Sequence, residues 1–178
     1  EYAAYAGFGD GLPFEALISM HVRRKGMLDL DDMSAIATIG AYECLRTGTT
    51  TIGDCSFSGA SAAAAAVTGL RAIVFLEVFG HDASALDRFH ELRAQIESQL
   101  SDRVRVGVSP HAPYTCTPEL YRACAELQLP QATHLAESAS ERDYLGEGAG
   151  DWTPFADLLV PPPGETGGAK LMVEEGAL

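Results

Sequence analysis

No run of apolar residues in this 178-residue chain approaches the ~18–20 needed to cross a bilayer, so a membrane protein is not expected. Basic charge is scarce as well. Twelve Lys and Arg stand against 25 Asp and Glu, a formal charge of −13, and no basic stripe interrupts the excess. Such a surface repels phosphate backbones and anionic lipid, which argues against a nucleic-acid partner. The four cysteines, Cys44, Cys55, Cys116 and Cys124, form no C-x-x-C and have no dense spacing of the disulfide-stapled kind. They read as reduced and packed, in keeping with a cytoplasmic chain that carries no secretory signal. No G-x-G-x-x-G leads from a strand into a helix and no Walker loop is present, which weakens a nucleotide-cradling open sheet.

What remains alternates regularly. Asp29 to Asp32 opens a segment whose apolar positions Met33, Ile36, Ala37, Ala41, Cys44 and Leu45 keep helical spacing, and Gly48 supplies a left-handed stop. Thr49 to Asp54 reads as a β-branched strand, followed by turn residues and an alanine-rich helix from Ser61 to Thr68. Arg71 to Phe79 is a second strand, Ala83 to Leu100 an amphipathic helix and Val104 to Val108 a third strand. Thr117-Pro118-Glu119 combines an N-cap, a proline at the first helical position and an acid in the first turn, and the helix it opens ends at Leu129-Pro130. A fourth strand is expected at Gln131 to Leu135. Ser140 to Asp143 then looks like a helix start, Pro161 to Gly164 a rigid connector and Thr166 to Glu175 a last helix. Arg23-Arg24-Lys25 reads as the solvated, dipole-favoured end of an earlier helix.

Four strands, each followed by a helix at roughly 25–30-residue spacing, indicate parallel α/β units, and barrel units fit better than a doubly wound sheet. In a barrel, chemistry collects at the carboxyl ends of strands. Those ends are Asp54-Cys55, Glu77 to His81, Ser109 to Tyr114 and His134 to Glu137, and each carries polar, titratable residues.

Ser109-Pro110-His111-Ala112-Pro113-Tyr114-Thr115, then Thr117-Pro118-Glu119-Leu120, then Thr133-His134-Leu135-Ala136-Glu137, resembles the middle of the amidohydrolase superfamily, in its cytosine-deaminase-like and chlorohydrolase-like branch. The resemblance implies part of a (β/α)8 TIM-type barrel of about four βα units, strands two to five. It implies His134 as a metal ligand, Glu137 as the proton-shuttling acid and His111 as a residue facing the substrate. The family's remaining ligands, an H-x-H pair on the first strand, a histidine on the sixth and an aspartate on the eighth, lie outside this chain. Residues 1–178 are therefore expected to form a partial metal-dependent hydrolase domain whose flanking strands are missing, with pairing to a second copy as one way to cover the open edges.

The activity implied is hydrolytic deamination of a purine-nucleoside-like or related nitrogen heterocycle. That chemistry needs a hydroxide at neutral pH, which bound Zn²⁺, or alternatively Fe²⁺, provides by lowering the pKa of water to about 7. A carboxylate one hydrogen bond away can then move the proton to a ring nitrogen. Triazine dechlorination or cyclic amide hydrolysis would use the same site, and a noncatalytic small-molecule-binding half-barrel is the reading from another class. Glu77, in an otherwise apolar strand, is either a substrate-facing carboxylate or the partner of Arg71 or Lys25. His81 and Asp82 read as a loop cap, His21 and His90 as surface or packing residues, and Trp152 as a pin that holds its loop to the barrel.

Overall fold

The computed structural model describes residues 1–147 together with Trp152 and Leu159. The regular elements are α1 (Phe14–Lys25), α2 (Leu30–Arg46), β1 (Thr51–Ser56), α3 (Ala60–Thr68), β2 (Arg71–Val78), α4 (Leu86–Ile96), β3 (Val104–Pro110), α5 (Pro118–Glu126) and α6 (Ala139–Glu147). No helix among the described residues is long and apolar enough to cross a membrane.

Local chemistry sets most boundaries. The Asp29 side chain accepts from Asp32 N at 2.9 Å while Asp32 accepts from Asp29 N at 3.3 Å, a reciprocal cap that starts α2. Gly48, at φ 90°, reverses the chain after α2 and leads it into β1. Thr117 caps α5 by accepting from Leu120 N, with Pro118 at the first helical position. The expected helix from Ala83 to Leu100 is interrupted at both ends: a 3₁₀ turn, Ala83–Ala85, precedes α4, and another, Glu97–Gln99, follows it. Asp82 accepts from Ser84 N at 2.8 Å, the loop cap that its position suggested.

The three strands pair in parallel in the order β1-β2-β3, with Gly53 opposite Ile73, and Phe75 opposite both Cys55 and Gly107. Alternation divides β2 cleanly. Ala72, Val74, Leu76 and Val78 are buried in the main core with Phe89 and Leu92 of α4, Leu120 and Cys124 of α5 and the alanines of α3. Phe75 and Glu77 take the other face. There the Phe75 ring lies across the glycines of both neighbouring strands, Gly53 and Gly107, and fills the layer beneath Glu77.

The fourth strand expected at Gln131 to Leu135 is not a regular strand. Its segment meets β3 only around Val108, which donates to Pro130 O at 3.0 Å and accepts from Ala132 N at 3.2 Å, a single parallel bridge centred on Gln131. Two backbone features account for this. Pro130 has no N–H to give to a ladder, and Gln128 has φ 53°, which turns the chain sharply just before it meets the sheet. The chain still runs alongside β3, and His134 N donates to His111 O at 2.8 Å. The helix start near Ser140 is borne out by α6. The connector at Pro161 to Gly164 and the helix at Thr166 to Glu175 lie outside the described residues.

A β-carbon on Gly107 would lie 2.5 Å from Phe75 Cδ1 and 2.7 Å from the Pro130 carbonyl oxygen. Gly107→Ala must therefore push the Pro130 segment off β3, and we expect it to cost about 1–3 kcal/mol of stability. Urea unfolding checks this; an unchanged midpoint would show that the segment is not packed as described.

Candidate active site

The carboxyl ends of the strands meet α1 around a cavity of about 300 Å³. Its floor holds Glu77, His111 and His134, its rim Glu137 and Tyr114, and its apolar wall comes from α1 through Phe14 and Ile18. The residues singled out from sequence at 77, 111, 134 and 137 are thus brought together. His81 is not among them; its carbonyl accepts from Thr117 Oγ1 in the loop. His21 stacks on Tyr5 with ring centroids 4.8 Å apart, the packing role expected of it, although it also reaches the cavity wall.

Glu77 is 3% exposed. Its Oε1 lies 3.6 Å from His134 Nε2 and its Oε2 lies 3.9 Å from Lys25 Nζ. Of the two partners weighed from sequence it takes Lys25, while also facing the cavity. Lys25 is therefore not part of a solvated basic end: its side chain is 17% exposed and turns inward, 4.1 Å from the centre of the Phe57 ring. The reason is electrostatic, because a buried carboxylate needs a cation nearby. Burial on its own pushes the Glu77 carboxyl up, but the hydrogen bond from His134 and the charges of Lys25 and His134 outweigh it and hold the group below the usual carboxylate range. Oε2 has no hydrogen-bond partner among the described residues, which leaves an acceptor at the cavity floor.

His111 follows the last residue of β3, and its N–H continues the ladder by donating to Val78 O at 3.1 Å. Burial pushes its imidazole down to about 4, so the ring is neutral at neutral pH. Nδ1 lies 2.8 Å from Thr115 Oγ1, and that hydroxyl donates to Ala112 O at 3.2 Å. The hydroxyl therefore accepts from Nδ1–H, which leaves Nε2 unprotonated as an acceptor. The ring stands edge-on to that of His134, with centroids 5.1 Å apart.

His134 is half-buried, with Nδ1 3.7 Å from Glu137 Oε1. Hydrogen bonding to Cys55, and then to Glu77, pushes the imidazole up to about 10. Ser109 Oγ in turn donates to Cys55 Sγ at 3.8 Å, so the thiol sits on the inner face of the sheet beside the site. All four cysteines are free, as expected. Glu137 Oε2 accepts from Tyr114 OH at 3.0 Å, and burial raises the carboxyl above its ordinary value. Between them Ala136 adopts φ 57°, a left-handed conformation rare for alanine, which turns Glu137 back towards His134. Trp152 is buried against Tyr114, Phe14 and Tyr144, with ring centroids 5.1, 6.1 and 5.1 Å away, and the loop it was expected to pin lies outside the described residues.

Tyr114, Thr115 and Lys25 were not singled out from sequence as site residues. The spacing of Tyr114 and Thr115 three and four residues after His111 was the available signal for two of them. For Lys25 the signal was the lone carboxylate at Glu77, which called for a cation; the tertiary fold chose Lys25 over Arg71 by bringing α1 over Glu77.

One ligand atom from each of Glu77, His111 and His134 lies within 4.8 Å of the others. Two imidazoles and a carboxylate so close suit a divalent cation of the zinc or iron type, so the donor chemistry fits the metal that the motifs imply. A ligating imidazole must be neutral, and His134 holds its proton up to about 10 without a metal. Metal uptake at pH 7 should therefore release about one proton from this residue, measurable by calorimetry in buffers of differing ionisation enthalpy. His134→Gln should weaken binding and abolish the release. The same raised value stabilises the metal-free fold fully below the ordinary 6.5, and that contribution fades as pH rises through about 10.

The family model described as "Amidohydrolase family" matches residues 4–177. The 5-methylthioadenosine/S-adenosylhomocysteine deaminase of Symbiobacterium thermophilum is 37% identical over 137 residues, which are 72% of this chain and 31% of that protein. The 5′-deoxyadenosine deaminase of Methanothermobacter thermautotrophicus is 30% identical over 148 residues, 77% of this chain and 35% of its own. Among solved structures, an adenosine deaminase from Xanthomonas campestris with bound zinc superposes with a TM-score of 0.65 at 23% identity, over 85% of this chain and 37% of that one. The chain thus spans about a third of the length of the relatives it matches.

Proposed function

Since the chain belongs to the amidohydrolase family and its βα units form part of that family's barrel, we propose that it is the central segment of a metal-dependent aminohydrolase that deaminates a purine-nucleoside-like substrate. The observation that carries this is the convergence of Glu77, His111, His134 and Glu137 at the carboxyl ends of parallel strands around one cavity. The names of the relatives point to adenine nucleosides as the substrate class. In this reading residues 1–178 are one part of a larger barrel domain, and the enzyme is cytoplasmic.

His134 would hold the cation, zinc in preference to iron, together with ligands from segments beyond this chain. When bound, such a cation supplies the Lewis acidity that makes water a nucleophile at neutral pH. Glu137 takes the proton from that nucleophile at Oε1 and delivers it to a ring nitrogen, while Tyr114 keeps Oε2 fixed. Its raised pKa suits a group that must both accept and return a proton. His111 Nε2 and Glu77 Oε2 are acceptors and receive hydrogen bonds from substrate N–H or O–H groups. Phe14 and Ile18 of α1 and Tyr114 supply the apolar wall that a heterocycle packs against and that keeps water out.

Ammonia release from a panel of adenine nucleosides tests the activity directly in the intact enzyme. Glu137→Gln should keep its metal while kcat falls by about 10²–10⁴. His134→Ala should lose metal and turnover together. His111→Ala should lower kcat/KM with metal retained, and metal lost with it would make His111 a ligand instead. Chloride or ring-opened products without ammonia would replace deamination by dechlorination or amide hydrolysis. Near-normal turnover in Glu137→Gln would remove Glu137 from proton transfer.

A further inference from the structure

Glu141 is 1% exposed, yet it lines no part of the cavity. Its Oε1 accepts from Ala136 N at 3.1 Å and its Oε2 from Glu137 N at 2.5 Å, while its own N–H donates to Ser138 Oγ at 3.0 Å. Ser138 and Glu141 have the S-x-x-E spacing of a capping box, in which the acid ordinarily returns to the N–H of the capping residue itself. Here the carboxylate reaches past Ser138 to the two preceding amides, one on each oxygen. Those amides stand on either side of the α-carbon of the left-handed Ala136. An alanine pays a steric cost at positive φ, so the conformation persists only where its surroundings hold it, and the two hydrogen bonds to Glu141 do so.

The helix that carries Glu141 is itself fixed. Tyr144 and Leu145 of α6 pack with Tyr114, Ala112 and Trp152 in a second buried cluster. Tyr114 thus belongs to the packing that seats α6 and, through its hydroxyl, binds the Glu137 carboxylate. Side chain and backbone of Glu137 are held by two independent anchors joined in one cluster.

Building on the assignment of Glu137 to proton transfer, we infer that Glu141 is a positioning residue: bonded to the Ala136 and Glu137 amides, it holds the loop after His134 in the conformation that turns Glu137 onto the reacting centre. It touches neither substrate nor cation and acts through Glu137 alone. A displacement of about 1 Å at a catalytic group costs up to ~10²-fold in rate, which sets the size of the effect.

The test uses the intact, metal-loaded enzyme, with Glu141→Ala and Glu141→Gln each made alone and in a Glu137→Gln background, and with thermal melting to confirm folding. In Glu141→Ala, kcat should fall by about 10–10²-fold with metal content and KM nearly unchanged. Glu141→Gln, which keeps one strong acceptor oxygen and the side-chain volume, should recover part of the loss. With Glu137 already Gln, replacing Glu141 should change kcat by less than about twofold, because the two residues act as one unit. Equal losses in both backgrounds, a loss of metal, or wild-type kcat in a folded Glu141→Gln and Glu141→Ala pair would overturn the inference. If Glu141→Ala does not fold, Glu141→Gln decides: a reduced kcat at unchanged KM and metal content supports positioning, and wild-type kcat overturns it. Full turnover in Glu137→Gln would overturn the role of Glu137 and this inference with it, whereas collapse in Glu137→Gln beside full activity in both Glu141 variants overturns only the inference.

Discussion

A carboxylate buried in an apolar strand cannot stand alone, and Glu77 is the constraint on which the rest of the site depends. Stripping a charge of water costs several kcal/mol unless cations and hydrogen bonds replace the solvent. The fold answers with Lys25 from the end of α1 and His134 from the segment after α5. Three distant parts of the chain are thereby drawn to one point. Lys25 in turn is desolvated and held between the carboxylate and the Phe57 ring, its ammonium pushed below its ordinary pKa by burial first of all. The pairing brings α1 over the strand ends, so the helix that compensates the charge also supplies the apolar wall of the cavity.

Beneath this charged layer the sheet is prepared by what it omits. Phe75 lies one turn of the pleat below Glu77, and its ring takes the space that side chains at Gly53 and Gly107 would occupy. Cys55, level with Phe75, and Ser109, level with Glu77, bring small polar groups from the flanking strands to the inner face. From bottom to top, the aromatic filler gives way to titratable groups. That order suits a barrel mouth, where the interior is packed and the chemistry is confined to one end.

The two histidines show how environment divides one residue type into two roles. His111 is part-buried with its Nδ1–H engaged by Thr115, and it stays neutral. His134, edge-on to it, meets Cys55, Glu77 and Glu137, and it holds a proton well above neutral pH until something positive replaces that proton. A neutral acceptor thus stands beside a group that favours positive charge.

Much of this was legible in the chain itself. Local signals placed α2 through the Asp29 cap and Gly48, α5 through Thr117-Pro118, and the three strands through their β-branched and apolar runs, because capping and patterning are interactions between near neighbours in sequence. The H-A-P-Y and H-L-A-E motifs also marked His111, His134 and Glu137, and a lone glutamate among apolar residues marked Glu77. The sequence by itself therefore determined which elements form, which residue types gather at the strand ends and which family they resemble. Tertiary structure alone decided that the segment at Gln131 meets β3 by one bridge, since Pro130 and the turn at Gln128 count only once an edge strand is beside them. It alone turned Lys25 inward, since the charge it neutralises lies 52 residues away in sequence. It alone bent Glu141 back to the amides before Glu137, because the energy of a buried charge depends on what surrounds it in space and not on what precedes it in the chain.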